Sequence, residues 1–125
     1  MILDTNGLSA LADGEAALEP ILRTAPLIAI PVIVLGEYRY GISQSRHRRQ
    51  YEQWLAEYLT KFRVLDIDEL TTFPYSAVRA ELKKAGTPIP ANDVWIAALC
   101  RQHSLPLLSR DRHFDAVPGI KRLTW

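Results

Sequence analysis

Residues 26–42, PLIAIPVIVLGEYRYGI, decide the fold. Taken as one strand the stretch is too long, and it holds two prolines, Pro26 and Pro31. A proline gives a sheet no backbone donor and is kept out of central strands. Divided at Pro31, the stretch makes sense. Leu27–Ile30 becomes a short, wholly apolar buried strand. Pro31 takes the first helical position, where a missing N–H costs nothing. The helix that follows runs to about Ser43 and carries one acid, Glu37, directly after Val34-Leu35-Gly36.

The same alternation extends in both directions. Upstream, Ile2-Leu3 is an apolar stretch ending at Asp4, and Asn6-Gly7 marks a turn. Leu8, Leu11 and Ala12 predict a short helix broken by Asp13-Gly14. Leu18, Ile21 and Leu22 predict another within residues 15–24. Downstream, Tyr51, Trp54, Leu55, Tyr58, Leu59 and Phe62 fall at helical spacing within residues 47–62. Arg63–Ile67 reads as a strand. Asp68 is placed to cap a helix with Leu70, Phe73, Val78 and Leu82, ending at Lys83, Lys84 and Gly86. TPIPA (87–91) is a loop, and Asn92 is placed to cap a helix carrying Val94, Ile96, Ala97 and Leu99. LPLLS (105–109) reads as a fourth strand and IKRLTW (120–125) as a fifth at the edge. Strands alternating with helices predict an α/β fold: a three-layer α/β/α domain with a central, mainly parallel sheet of four to five strands. The whole chain, 125 residues, fits one domain.

Composition narrows the function classes. An apolar fraction of 48% excludes a disordered chain. The lone Cys100 has no internal partner, which fits a reducing cytosol. No apolar run approaches the length of a membrane span, and MILDTN lacks the basic start of a secretion signal. A net charge of +1 neither demands nor excludes nucleic acid. Arg46, His47, Arg48 and Arg49 form a run of the kind that usually makes a solvated face. Arg110 and Arg112 flank Asp111 and are better placed for phosphate contacts. Tyr38, Tyr40, Tyr51, Trp54 and Tyr58 fall at spacings that favour core or dimer packing over base stacking.

Ligands of open α/β sheets bind outside the carboxyl ends of the strands. Asp4 stands at the end of the first strand and Asp111 just beyond LPLLS. Asp93 lies in the first turn of a helix, and Glu37 on the helix after the second strand. Each has an ordinary reading. Asp4 could make an Asx turn, Asp93 could complement a helix dipole, Asp111 could cap a helix, and Glu37 could be solvated. In a parallel sheet, however, Asp4 and Asp111 share one crevice. Gathered carboxylates repel and lose water, at a cost on the order of several kcal/mol unless they hold protons or a cation. Their pKa values should be raised, mainly by like-charge repulsion. A hard divalent cation resolves the conflict, and the chemistry it supports is phosphate-ester hydrolysis.

LDTN (3–6), Glu37 within GEYRYGI (36–42), NDVWIAA (92–98) and LLSRDRHFD (107–115) together resemble the four motifs of the PIN-domain family. They come in the family's order and span essentially the whole chain, whose small size is nearest to VapC-like toxin ribonucleases. The resemblance implies that Asp4, Glu37, Asp93 and Asp111 form an acidic tetrad holding one or two Mg²⁺ or Mn²⁺ ions, with Asp115 as an accessory acid. It implies that Thr5 or Asn6 hydrogen-bonds a carboxylate or the phosphate, and that Ser109 occupies a position often held by Ser or Thr. It further implies an endoribonuclease acting on RNA, a cognate antitoxin, a homodimer and a cytoplasmic location. His113 is read as structural or RNA-facing, and Cys100 and TPIPA have no role in the pattern. Two alternatives weaken on inspection. A catalytically silent RNA-binding module would lack an acid, and none is missing. A small-molecule phosphatase of the haloacid-dehalogenase type would need a second Asp where the chain has Asn6.

Overall fold

The computed structural model describes residues 1–125. A sheet of five parallel strands has the order β3-β2-β1-β4-β5. The strands are β1 (Ile2–Leu3), β2 (Ala29–Pro31), β3 (Arg63–Leu65), β4 (Leu107–Leu108) and β5 (Arg122–Leu123). The helices are α1 (Thr5–Ala12), α2 (Glu19–Arg23), α3 (Val32–Ser43), α4 (Arg48–Tyr58), α5 (Thr72–Ala85) and α6 (Ala91–His103). No helix is long and apolar enough to cross a membrane.

Side chains alternate across each strand, and the sheet therefore has two apolar faces. Ile2, Ile30 and Leu107 join the larger core, built with Val34 and Tyr38 of α3, Leu55 of α4, Val78 and Leu82 of α5, and Ile96 and Leu99 of α6. Leu3 and Leu108 face the other way, into a smaller core with Ala10 of α1 and Leu18, against which Ile21 and Leu22 of α2 pack. Helices thus cover both faces of the sheet. The aromatic stripe of α4 also faces protein: Trp54 meets Tyr38 edge-on at 6.5 Å and stacks on Tyr58 at 5.2 Å. Burial pushes the Tyr38 hydroxyl up to about 12. Tyr40, on α3, stands well out, 72% exposed. Arg46, His47, Arg48 and Arg49 are exposed, and Arg48 pairs with Glu52 at 2.8 Å.

Several boundaries differ from the sequence reading. The second strand starts later and includes Pro31, whose φ of −60° and ψ of 142° are still extended, so Pro31 is the N-cap of α3 rather than its first helical residue. Asn6-Gly7 is not a turn but lies inside α1. A Cβ on Gly7 would stand 3.0 Å from the Leu108 carbonyl oxygen, so the glycine serves the close approach of helix to strand. Asn92 does not cap α6. Pro90 holds that position and frees the Asn92 side chain. The third strand stops at Leu65. Asp68 caps not α5 itself but a 3₁₀ turn, Glu69–Thr71, that leads into it, in a reciprocal box with Thr71, and Gly86 ends α5 at φ 72° as read.

Candidate active site

Topology brings the acids to one edge. Leu3 pairs with Leu108, so Asp4 and Ser109 emerge side by side from the carboxyl ends of β1 and β4. These strands are neighbours in space but distant in sequence, and their outward connections diverge: this is where the strand order reverses and a crevice opens. The helix after β2, α3, brings Glu37 to the same site from its second turn, and the start of α6 delivers Asp93.

Ser109 is fully buried and organises the floor. Its hydroxyl donates to Asp4 Oδ2 at 2.7 Å, and its oxygen accepts the Asp111 backbone N–H at 2.9 Å. Asp4 caps α1 by accepting from Thr5 N at 2.8 Å, and Asn6 Nδ2 reaches its second oxygen at 3.3 Å. Thr5 Oγ1 donates to Glu37 Oε2 at 2.6 Å. Asn92 Nδ2 donates to Glu37 Oε1 at 2.9 Å. Asp111 caps a 3₁₀ turn, Arg112–Ala116, by accepting from His113 N at 2.9 Å. That cap folds the imidazole back: His113 Nδ1 lies 3.1 Å from Asp111 Oδ1 and 3.3 Å from Asp93 Oδ2. The cap reading of Asp111 is therefore met by a side chain that also enters the cluster, while Asp4, read as an Asx-turn residue, caps α1 instead.

The electrostatics follow from this crowding. Asp4 is 5% exposed. Burial raises its pKa above the ordinary 3.8, with smaller contributions from the charges of Glu37 and Asp111, against the Ser109 and Thr5 hydrogen bonds. Asp93 is raised as well, by burial first and then by Asp4 and Asp111, against the His113 contact. Desolvation thus exceeds the like-charge repulsion expected to dominate. The donor chemistry suits a hard divalent ion. One ligand atom each from Asp93, Asp111 and His113 lies within 4.8 Å of the others, and further carboxylates adjoin.

Two expected participants sit differently. Both oxygens of Asp115 engage Arg122, at 2.8 and 2.9 Å, which lowers the Asp115 pKa. The accessory acid is thereby tied to β5 and stays outside the cluster. Arg110 donates to Glu15 at 3.0 Å with its guanidinium 4.5 Å above the Trp125 ring, so in this structure it is engaged by those two residues. Arg112 is exposed and forms no ion pair. Two residues joined the site beyond expectation, Asn92 and His113. The signal for Asn92 was Pro90, which takes the cap. For His113 it was the spacing of two from a capping aspartate, which returns a side chain toward the cap.

The PIN domain family model matches residues 1–120, and the chain belongs to that family. Within it the chain is similar to "Ribonuclease VapC2" of Rickettsia felis, 31% identical over 99 residues, 78% of this chain and 74% of that protein. Among solved structures it superposes on VapBC2 from Rickettsia felis bound to a promoter DNA fragment with a TM-score of 0.85 and 28% identity, covering 99% of this chain and 97% of that one. A toxin-antitoxin complex from Klebsiella pneumoniae gives a TM-score of 0.76 at 26% identity, covering 95% and 93%.

Proposed function

We propose that this protein is a divalent-metal-dependent endoribonuclease and the toxin of a toxin–antitoxin pair. The observation that carries the reading is the arrival of Asp4, Glu37, Asp93 and Asp111, from four separate elements, at the switch-point edge of the sheet. The ribonuclease name of the Rickettsia felis relative and the toxin-antitoxin assembly of the Klebsiella pneumoniae neighbour support the activity and the partner.

Bound Mg²⁺ or Mn²⁺ supplies positive charge for the scissile phosphate and makes water easier to deprotonate. Asp93 and Asp111 are the residues that would hold it, with Asp4 held rigid beside them by Ser109 and Thr5. Each Glu37 oxygen accepts one hydrogen bond and keeps a lone pair. That carboxylate orients the attacking water and takes its proton. Water attacks phosphorus, the P–O3′ bond breaks, and the 3′-oxygen leaves with a proton from solvent. The products carry 5′-phosphate and 3′-hydroxyl ends. The substrate is single-stranded or loop RNA, and Arg112, next to Asp111, is exposed and free of an ion pair for a phosphate. An antitoxin arginine would pair well with the acidic crevice. The reading includes a homodimer and a cytoplasmic location, where RNA is met.

The test is incubation with total RNA in EDTA, Mg²⁺ or Mn²⁺, followed by mapping of the cut ends. Cleavage that needs metal and leaves 5′-phosphates supports the reading. Cleavage that persists in EDTA points instead to metal-free chemistry at His47 or His113. A homodimer is read by light scattering after gel filtration.

A further inference from the structure

We propose that His113 is a nitrogen ligand of the metal site and sets its preference for Mn²⁺ over Mg²⁺. The inference rests on the metal-dependent reading above and adds a ligand to it. Adjacent donor atoms of an octahedral ion with bonds near 2.1 Å stand about 3.0 Å apart. His113 Nδ1 stands 3.1 Å from Asp111 Oδ1 and 3.3 Å from Asp93 Oδ2. All three donors fit within 4.8 Å. Nδ1 is within hydrogen-bond reach of Asp93, and the same spacing lets the neutral ring turn that lone pair to an ion as a member of the shell.

The local structure presents it there. Asp111 caps the Arg112–Ala116 turn through the His113 N–H, which fixes the direction in which the histidine leaves the backbone. Phe114, 1% exposed, anchors the next position in the larger core. Asp115 is clamped by Nε and Nη2 of Arg122. A residue between a cap and two anchors has little freedom to swing away. The Asp115–Arg122 pair thus acts on the site through the turn and not as a ligand.

The consequence is selectivity. Carboxylates and water suit Mg²⁺ and Mn²⁺ alike, whereas an imidazole nitrogen is a softer donor that adds little for Mg²⁺ and more for Mn²⁺, the weakest binder of the first-row transition ions. One nitrogen in an otherwise oxygen shell should separate the two.

The test is Mn²⁺ binding read by pulsed electron paramagnetic resonance, which detects nitrogen bonded to manganese, with calorimetric titration of both ions. Wild type should show histidine nitrogen coupling, and His113→Gln should lose it. His113→Gln should lower Mn²⁺ affinity about tenfold, the range that changes around metal ligands cost, and alter Mg²⁺ affinity far less. Asp111→Asn should weaken both ions together. Manganese bound without nitrogen coupling, or equal losses for both ions in His113→Gln, overturns the assignment while leaving the metal-dependent nuclease intact. A wild-type protein that binds neither ion overturns both readings.

Discussion

The side-chain amide of Asn92, at the start of α6, donates to Glu37 Oε1 on α3 at 2.9 Å, across 55 positions of sequence. With Thr5 on the second oxygen, Glu37 is held from two sides by elements that also carry Asp4 and Asp93. Asn92→Ala should leave the fold intact, because the residue is exposed and does not cap its helix. RNA cleavage should fall about 10–100-fold, as when groups that orient metal-site acids are removed. Paired cleavage rates and thermal melts check this. A matching loss of stability would make Asn92 a structural tie instead.

Gly7→Ala should destabilise the protein, against the ordinary rule for a helix. Alanine gains about 1 kcal/mol over glycine in a free helix. Here the added methyl meets the Leu108 carbonyl oxygen at 3.0 Å. Pushing α1 off β4 should cost about 1–3 kcal/mol, typical of overpacking. It would also separate Asp4 from Ser109. Chemical denaturation reads the sign directly, and a more stable variant would show that the helix can shift freely.

Cys100 should be inert in the folded protein. Burial pushes its thiol up to about 12, and only 2% of the residue is exposed. Little thiolate exists at neutral pH, and none of it is reachable. Labelling by a thiol reagent should therefore proceed only as fast as the chain opens. Fast labelling at neutral pH without denaturant would contradict the packing of α6.

Arg112 and Arg110 should separate in their effects on RNA. Arg112 is exposed and forms no ion pair, while Arg110 is engaged with Glu15 and Trp125. Arg112→Ala should weaken RNA binding and reduce its salt slope by about one. Arg110→Ala should act on stability. Binding isotherms at several salt concentrations distinguish them, and an equal effect from both would mean that Arg110 leaves its partners to meet RNA.

The alternation of strands and helices was legible because each depends on a local pattern. Pro31 divides one apolar run, Asp68 caps the turn that leads into α5 and Gly86 ends that helix, and the strands β1, β2 and β4 are too apolar to be exposed. The acids at strand ends were legible for the same reason, since topology alone puts Asp4 and Asp111 together. What could not be read were choices made between segments. Asn6-Gly7 is a turn by local chemistry, but β4 passes so close that the glycine is needed within a helix. Asn92 is a good cap by type, yet Pro90 claims the cap and Glu37 claims the amide. Asp115 carries the charge of a ligand, but Arg122, seven residues on, neutralises it. The cause of the raised acid pKa values was misjudged on similar grounds: sequence counts charges but does not measure how deeply Ser109 and Asp4 are buried.

Asp93→Asn should abolish cleavage and yet stabilise the metal-free protein. The folded pKa of Asp93 lies above its ordinary 3.8, and that of Asp4 does too. Below pH 3.8 both carry protons in either state and impose no penalty. As pH rises from 3.8 toward the folded values, the unfolded chain loses these protons first, so the folded state is progressively disfavoured and remains so above them. Asp68 and Asp115 have lowered values and act in a separate window: their stabilisation is present above 3.8 and is lost as pH falls through the folded values below it. Metal-free stability contributed by these groups should therefore rise as pH falls from neutral toward 3.8, then decline. Asn at position 93 keeps the shape and removes the charge that burial, Asp4 and Asp111 oppose. It also forfeits a favourable acid in the first turn of α6, a smaller effect in the other direction. The net gain should be about 0.5–2 kcal/mol near neutral pH, within the usual return from relieving strain at a functional site. The slope of stability against pH above 3.8 should flatten. Added Mn²⁺ should stabilise the variant less than wild type, because the ion acts through preferential binding to the folded state. Thermal melts in EDTA and in Mn²⁺ across this pH range measure both effects. A variant that melts lower in EDTA and keeps the full manganese shift would make Asp93 a helix-terminal acid with no place in the metal shell.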